Sequence, residues 1–312
     1  MNRKLIALAV AGALAVPLSA QAVDVTNYGS LGWKLVDADG ASWEMKNTKA
    51  RLGWNAVDTT EYGKFNGQLE FDFDNGSNAA SQSGDSDEID VRRARIVWGT
   101  KGAGTFVLAG RTPSGQYADM YSHVDIFSHG GYHYMDQGDH TGKLIAWKSP
   151  VSNGLYGVIA LVANDTASTT DDVDVTGLRI VWNSGPWHLG YGQLIANNST
   201  ASDDTRESLG ASWKNNGLMV GFTYEDSIGS GAVDGDTALG LAASFTAGNN
   251  TFKVAAYSQD SDVASRDDLS GATFEIAHAF SKNVTGFVTF DQNDVTSTTD
   301  TDSTAFGVNM SW

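Results

Sequence analysis

The chain has no cysteine. That excludes disulfides, thiolate metal sites and a cysteine nucleophile, and it leaves the redox compartment open, because a protein facing an oxidising space can do without bridges. Proline is scarce, at 4 in 312 residues, and no linker-like stretch or shift in composition divides the chain. Basic residues are outnumbered, 20 against 37 acidic, for a net charge of −17. Such a chain repels nucleic acid. Beyond the first residues there is no apolar run long enough for a membrane helix. Also missing are an EF-hand spacing in the acidic runs, a nucleophile-elbow pattern, and a dinucleotide or phosphate-cradling glycine motif. No cofactor or metal is expected.

What is present begins with an export signal. Arg3 and Lys4 precede an apolar stretch over 5–16, and "LSAQA" places Ala20 and Ala22 as a small-x-small cleavage site. Residues 1–22 therefore read as a signal peptide and 23–312 as the mature domain, which is more negative still once both cations are lost.

The mature chain alternates with period two. In "KFNGQLEFDFDNG", Phe65, Leu69, Phe71 and Phe73 share one parity, and Lys64, Asn66, Gln68, Glu70 and Asp72 the other. Leu52 and Trp54 stand against Lys49, Arg51 and Asn55, and Leu239, Leu241 and Phe245 against Asp236, Gly240 and Ser244. A soluble β-sandwich also has one wet and one dry face, so the connections decide. Sixteen strands are predicted, near 25–36, 42–56, 62–74, 88–100, 104–111, 140–148, 154–163, 174–183, 187–196, 205–214, 217–226, 236–246, 250–259, 270–280, 283–292 and 303–312. After a short first connection, tight joins such as "KGAG", "NNG" and "SKN" alternate with long acidic ones such as 75–87, 112–139 and 293–302. Short turns on one side and long loops on the other describe an all-β, antiparallel transmembrane barrel. An even strand number puts both termini on the periplasmic side. The last strand then carries Phe306, Val308, Met310 and Trp312 towards lipid, ending in the aromatic girdle, with Ala305, Gly307, Asn309 and Ser311 towards the lumen.

The segments "KARLGW", "GKFNGQLEFDF", "RRARIVWGTKGAGTFVLAGR" and "KLIAWKSP" resemble the successive hairpins of Gram-negative general diffusion porins. The C-terminal aromatic resembles the signal that family presents to the barrel-assembly machinery. The resemblance implies a sixteen-stranded, water-filled channel in the outer membrane, set among lipid and lipopolysaccharide. It implies a homotrimer passing small hydrophilic solutes, with a third extracellular loop folded inward so that its carboxylates face basic side chains on the wall. Residues 112–139 match that loop in position and length. Its acidic residues are Asp119, Asp125, Asp136 and Asp139, and "FSHGG" replaces the family's proline-glutamate-phenylalanine-glycine-glycine tip, leaving Ser128 where a glutamate is usual.

On the wall, Lys49 and Arg51 turn inward by alternation, and Arg111 matches a wall arginine just before the loop. For "VRRARIVW" the resemblance favours Arg92 inward with Ala94 and Ile96, which sends Arg93 and Arg95 outward at a cost of about 2–4 kcal/mol each at the bilayer midplane. An opposite parity, a bulge or a neighbouring subunit would each resolve this. His123, His129 and His133, with His140 beyond, offer imidazoles that could sense pH near 6. Alternatives are an anion- or sugar-selective channel of the same architecture, an outer-membrane hydrolase and a secreted adhesin. The acidic mouth argues for attracting cations, while Lys49, Arg51 and Arg111 at the narrow point would argue the reverse.

Overall fold

The structure, a computed structural model, describes residues 23–73, 89–131, 140–163, 173–196, 204–228, 236–261, 268–296, 299–300 and 302–312. The predicted signal peptide, His133, Asp136 and Asp139 lie outside the described residues.

The strands are β1 (Asp24–Ala38), β2 (Glu44–Thr60), β3 (Gly63–Phe73), β4 (Ile89–Thr100), β5 (Thr105–Pro113), β6 (His140–Lys148), β7 (Leu155–Val162), β8 (Val175–Ser184), β9 (Trp187–Ala196), β10 (Asp204–Asn215), β11 (Leu218–Ile228), β12 (Thr237–Ala247), β13 (Asn250–Asp260), β14 (Leu269–Ala279), β15 (Val284–Thr296), a two-residue β16 (Thr299–Asp300) and β17 (Ser303–Ser311). Each long strand pairs antiparallel with its sequence neighbours, and β17 pairs with β1, so sixteen long strands close into a barrel. β6 and β9 occupy the predicted 140–148 and 187–196, while β2 and β15 run four residues past their predicted ends. Closure removes every free edge, which is what allows a sheet to lie in hydrocarbon.

The alternation settles which side of the wall each parity takes. Leu69 and Phe73 of β3, Leu108 of β5, Ile159 of β7, Leu241 of β12 and Phe306, Val308, Met310 and Trp312 at the end are all exposed, forming an apolar outer surface. Glu70, Thr223, Glu275 and Asp291 take the opposite parity and are buried. Rings gather near the short turns: Trp98 stacks between Phe65 and Phe106 at 5.5 Å from each, and Trp187 lies 6.5 Å from Trp213. This is the belt expected where hydrocarbon meets water. The tight turns use left-handed backbone, as at Asn216 and Gly217 (φ 47° and 82°) between β10 and β11, a pair suited to the twist of a two-residue hairpin. Among the described residues no helix is long and apolar enough to cross a membrane.

Closure at the seam involves the final residue. Gly29 and Trp312 exchange backbone hydrogen bonds at 3.2 and 3.1 Å. A Cβ on Gly29 would stand 2.3 Å from the Trp312 ring, so the indole lies directly over that glycine.

Candidate constriction site

The long connection between β5 and β6 turns into the lumen. Its described part, 114–131, begins with a π-helical turn (Tyr117–Tyr121), closed by Ser122 N–H donating to the Tyr117 carbonyl at 2.9 Å. This segment runs along the inside of the wall from β7 round to β1, and each step has a partner. The Gly115 backbone lies against the Arg179 guanidinium of β8, and Asp119 pairs with Arg179 at 2.7 Å. Tyr156 of β7 donates to the same carboxylate at 3.2 Å. His188 of β9 and His123 of the loop both donate to the Asp119 carbonyl, at 2.8 and 3.0 Å. Thr223 of β11 donates to the Met120 carbonyl at 2.6 Å, and Tyr121 donates to Glu225.

Beyond the turn, Lys253 of β13 donates to the Ile126 carbonyl and to Glu275 of β14, both at 2.6 Å. Ser128 donates to Glu275 from backbone and side chain. The Gly131 N–H donates to Asp291 of β15 at 3.2 Å. Finally His129 accepts from the Lys34 ammonium of β1 at Nδ1 (2.9 Å), so that its Nε2–H donates to Ser303 of β17 (3.0 Å).

Room for the loop comes from small inward residues. Met120, Tyr121 and Val124 pack against Ala238, Ala242, Ala255 and Tyr257. Any Cβ on Gly210 would lie 2.4 Å from the Met120 Cα, and on Gly221 2.0 Å from the His123 carbonyl oxygen, so backbone meets backbone there only because both wall residues are glycine.

Across the lumen, β2, β3 and β4 carry the basic cluster. Arg51 donates to Asp72 at 3.1 Å. Arg92 binds Glu70 at 2.7 Å and lies 3.6 Å from Asp72, and Arg93 is 3.5 Å from Glu70. Arg95 donates to Gln68 at 2.8 Å and to Thr112 at 3.1 Å. Lys49 stands opposite Gly32 on the same inward parity as Arg51. It makes no ion pair among the described residues.

The phase of the arginines comes from a bulge. Glu70 pairs with Arg93 and Phe71 with Val91, which leaves Arg92 as the extra residue in β4. Such a residue re-aims the strand, and Arg92, Arg93 and Arg95 all reach inward partners. The expected parity is thereby corrected for Ile96, which is outward and 52 % exposed.

A second irregularity corrects Arg111. Ala94, which faces outward opposite Leu69, is also opposite Arg111, and Gly110 is left over. Since Thr112 is the inward residue bonded to Arg95, the exposed Arg111 belongs to the outer face.

The loop carboxylates are also placed differently from the expectation. Asp119 is held by Arg179 on the wall where the loop docks, and Asp125 accepts from Tyr117, so neither faces the basic cluster. The glutamate missing at the loop tip has its counterpart in Glu275, a wall residue that receives Ser128. His123, 5 % exposed, has its pKa pushed down to about 4 by burial, with His188 and Lys214 adding to the effect, so it stays neutral near pH 6 and does not titrate there as anticipated. His140 is the first residue of β6 rather than part of the docked loop. Residues that sequence reasoning passed over are Arg179, Glu225, Lys253, Glu275 and Asp291. The one signal for them was a set of charges on the lumen parity of the later strands.

Among the described residues no group of three or more His, Asp or Glu side chains could hold a metal ion. No curated protein matches the chain by sequence. Solved structures share its fold. The anion-selective porin from Comamonas acidovorans superposes with a TM-score of 0.75 at 16% identity over 93% of this chain and 100% of that one. The outer membrane channel DcaP of Acinetobacter baumannii gives 0.74 at 14% over 94% and 99%. OmpT of Vibrio cholerae, in its in-vitro folded trimer form, gives 0.71 at 13% over 94% and 100%. A family model described as Gram-negative porin matches residues 7–298. With a closed barrel, an inward loop and a match over almost its whole length, the chain belongs to the Gram-negative porin family and is an outer-membrane diffusion channel.

Proposed function

We propose that this channel passes small hydrophilic solutes passively through a constriction that prefers anions. The observation that carries the reading is the state of Lys49. It has no carboxylate partner among the described residues, while the loop's Asp119 and Asp125 are engaged elsewhere. Around it, Arg51, Arg92 and Arg93 share Glu70 and Asp72, and Arg95 is held by the uncharged Gln68 and Thr112. A narrow passage lined by excess positive charge lowers the barrier for anions and raises it for cations. The acidic rim sets only the approach, and dissolved salt screens it more than it screens the narrow point.

The working unit is a homotrimer in the outer membrane, among lipid and lipopolysaccharide, exported by a signal peptide cleaved after Ala22 and folded by the barrel-assembly machinery from its C-terminal strand. The OmpT relative, described as a trimer form, supports the oligomer. The chain conducts and does not catalyse.

The test is the reversal potential of purified protein in planar bilayers under a potassium chloride gradient. The expected result is anion preference in the wild type that moves towards cations in Lys49→Glu. A cation-preferring wild type, or a Lys49→Glu channel with unchanged selectivity, overturns the reading.

A further inference from the structure

A water-filled lumen is normally lined by polar side chains, yet one arc of this wall is not. Beyond Tyr156, β7 is apolar on both faces: Ile159 and Leu161 are exposed outward, while Ala160 and Val162 turn inward beside Leu144 of β6 and Leu194 of β9. Elsewhere the docked loop covers the inward apolar residues, as Met120 covers Ala242. At this arc the base of the loop does not fill the space, and a half-enclosed crevice of about 270 Å³ remains between residues 114–116 and the wall.

Ser114, His140 and Thr141 also line it, and two longer polar side chains border it. Arg179 is already paired with Asp119 at 2.7 Å, so the crevice offers no uncommitted guanidinium. Gln116 is 3 % exposed; its Nε2 donates to Ser208 at 2.6 Å, which leaves Oε1 buried without a hydrogen-bond partner. A buried acceptor in that state is costly, and a solute that brings one donor relieves it. A mainly apolar lining with a few polar groups is the make-up of a small-molecule site.

We propose that this crevice binds a small phenolic solute, with the ring against Leu144, Val162 and Leu194 and the hydroxyl donating to Gln116 Oε1. Its size admits one six-membered ring, and at Gln116 Oε1 a hydroxyl donor is favoured over a carboxylate, which can only accept. The channel then holds such solutes briefly beside the constriction and carries a saturable interaction on top of free diffusion.

The inference stands apart from the anion preference, which the reversal potential tests separately. Single-channel conductance is recorded while 4-hydroxybenzoate or tyramine is titrated in. The two share the phenol and differ in sign, so ion preference alone cannot mimic or hide the effect. Benzoate lacks the hydroxyl and serves as the comparison.

Saturable reduction of conductance is expected with at least one of the two phenols, and about tenfold weaker binding is expected for benzoate, the ratio that 1.4 kcal/mol produces. Ala160→Phe, which fills the crevice, should abolish saturation while the conductance in plain salt is retained. Val162→Trp serves if that variant does not fold. Gln116→Leu should remove the distinction between 4-hydroxybenzoate and benzoate. Conductance that falls with neither phenol, or saturation that survives both filling substitutions, overturns the proposal.

Discussion

The backbone N–H and the hydroxyl of Ser128 both donate to the carboxylate of Glu275, at 2.6 and 3.2 Å, across 147 residues of sequence. Glu275 is fully buried and also accepts from Lys253 and Thr289. One wall side chain thus fixes the tip of the loop and neutralises a neighbouring ammonium.

Glu275→Ala should therefore release the loop tip and leave Lys253 uncompensated. Breaking a buried pair by removing one partner costs about 3–5 kcal/mol. The expected outcome is a lower unfolding midpoint together with larger and noisier single-channel currents, read by heat-modifiability on gels and by bilayer recording. Currents as quiet as those of the wild type would show that the remaining contacts suffice to hold the loop.

His123 gives a pH dependence of stability rather than of gating. Its folded pKa of about 4 lies below the ordinary 6.5, so between those values the unfolded chain binds the proton and the folded one does not. Stability is then full above about pH 6.5 and declines as pH falls towards 4, by roughly 3 kcal/mol. Urea unfolding from lipid vesicles at stepped pH should show this decline, and His123→Gln should flatten it. Conductance between pH 6 and 8 should be indifferent to the same substitution.

The bulge at Arg92 makes a length change tolerable. Removing one arginine from the Arg92–Arg93 pair restores regular pairing of Glu70 and Phe71 with β4, so the barrel should still fold. Removing Ala94 instead should turn Arg93 to the lipid at about 2–4 kcal/mol. The fraction folded into vesicles separates the two deletions.

Gly29→Val should expel the Trp312 indole from its seat, because no side chain fits beneath that ring. Slower folding into vesicles is expected, and Trp312→Ala should reproduce it. Gly29→Val folding at the wild-type rate would mean the ring is not part of closure.

The barrel itself was legible because period two and the turn chemistry are local: Phe65, Leu69, Phe71 and Phe73 declare an outer face without reference to any other strand. The phases of Arg92, Arg93, Arg95 and Arg111 were not, since a one-residue bulge leaves no mark of propensity and shows only in pairing. Loop docking was hidden for a different reason. Arg179, Glu225, Glu275 and Asp291 read as ordinary lumen residues until the chain returns to meet them, and inward glycines such as Gly210 and Gly221 signal close approach only when the approaching backbone is known.

Every described attachment from the π-helical turn to Gly131 lies on the arc from β7 round to β1, and none falls on β2 or β3. A travelling solute therefore passes between a fixed buttress and an unbraced lining. Substitutions along the unbraced side can retune traffic over evolutionary time without loosening the aperture that the buttress defines.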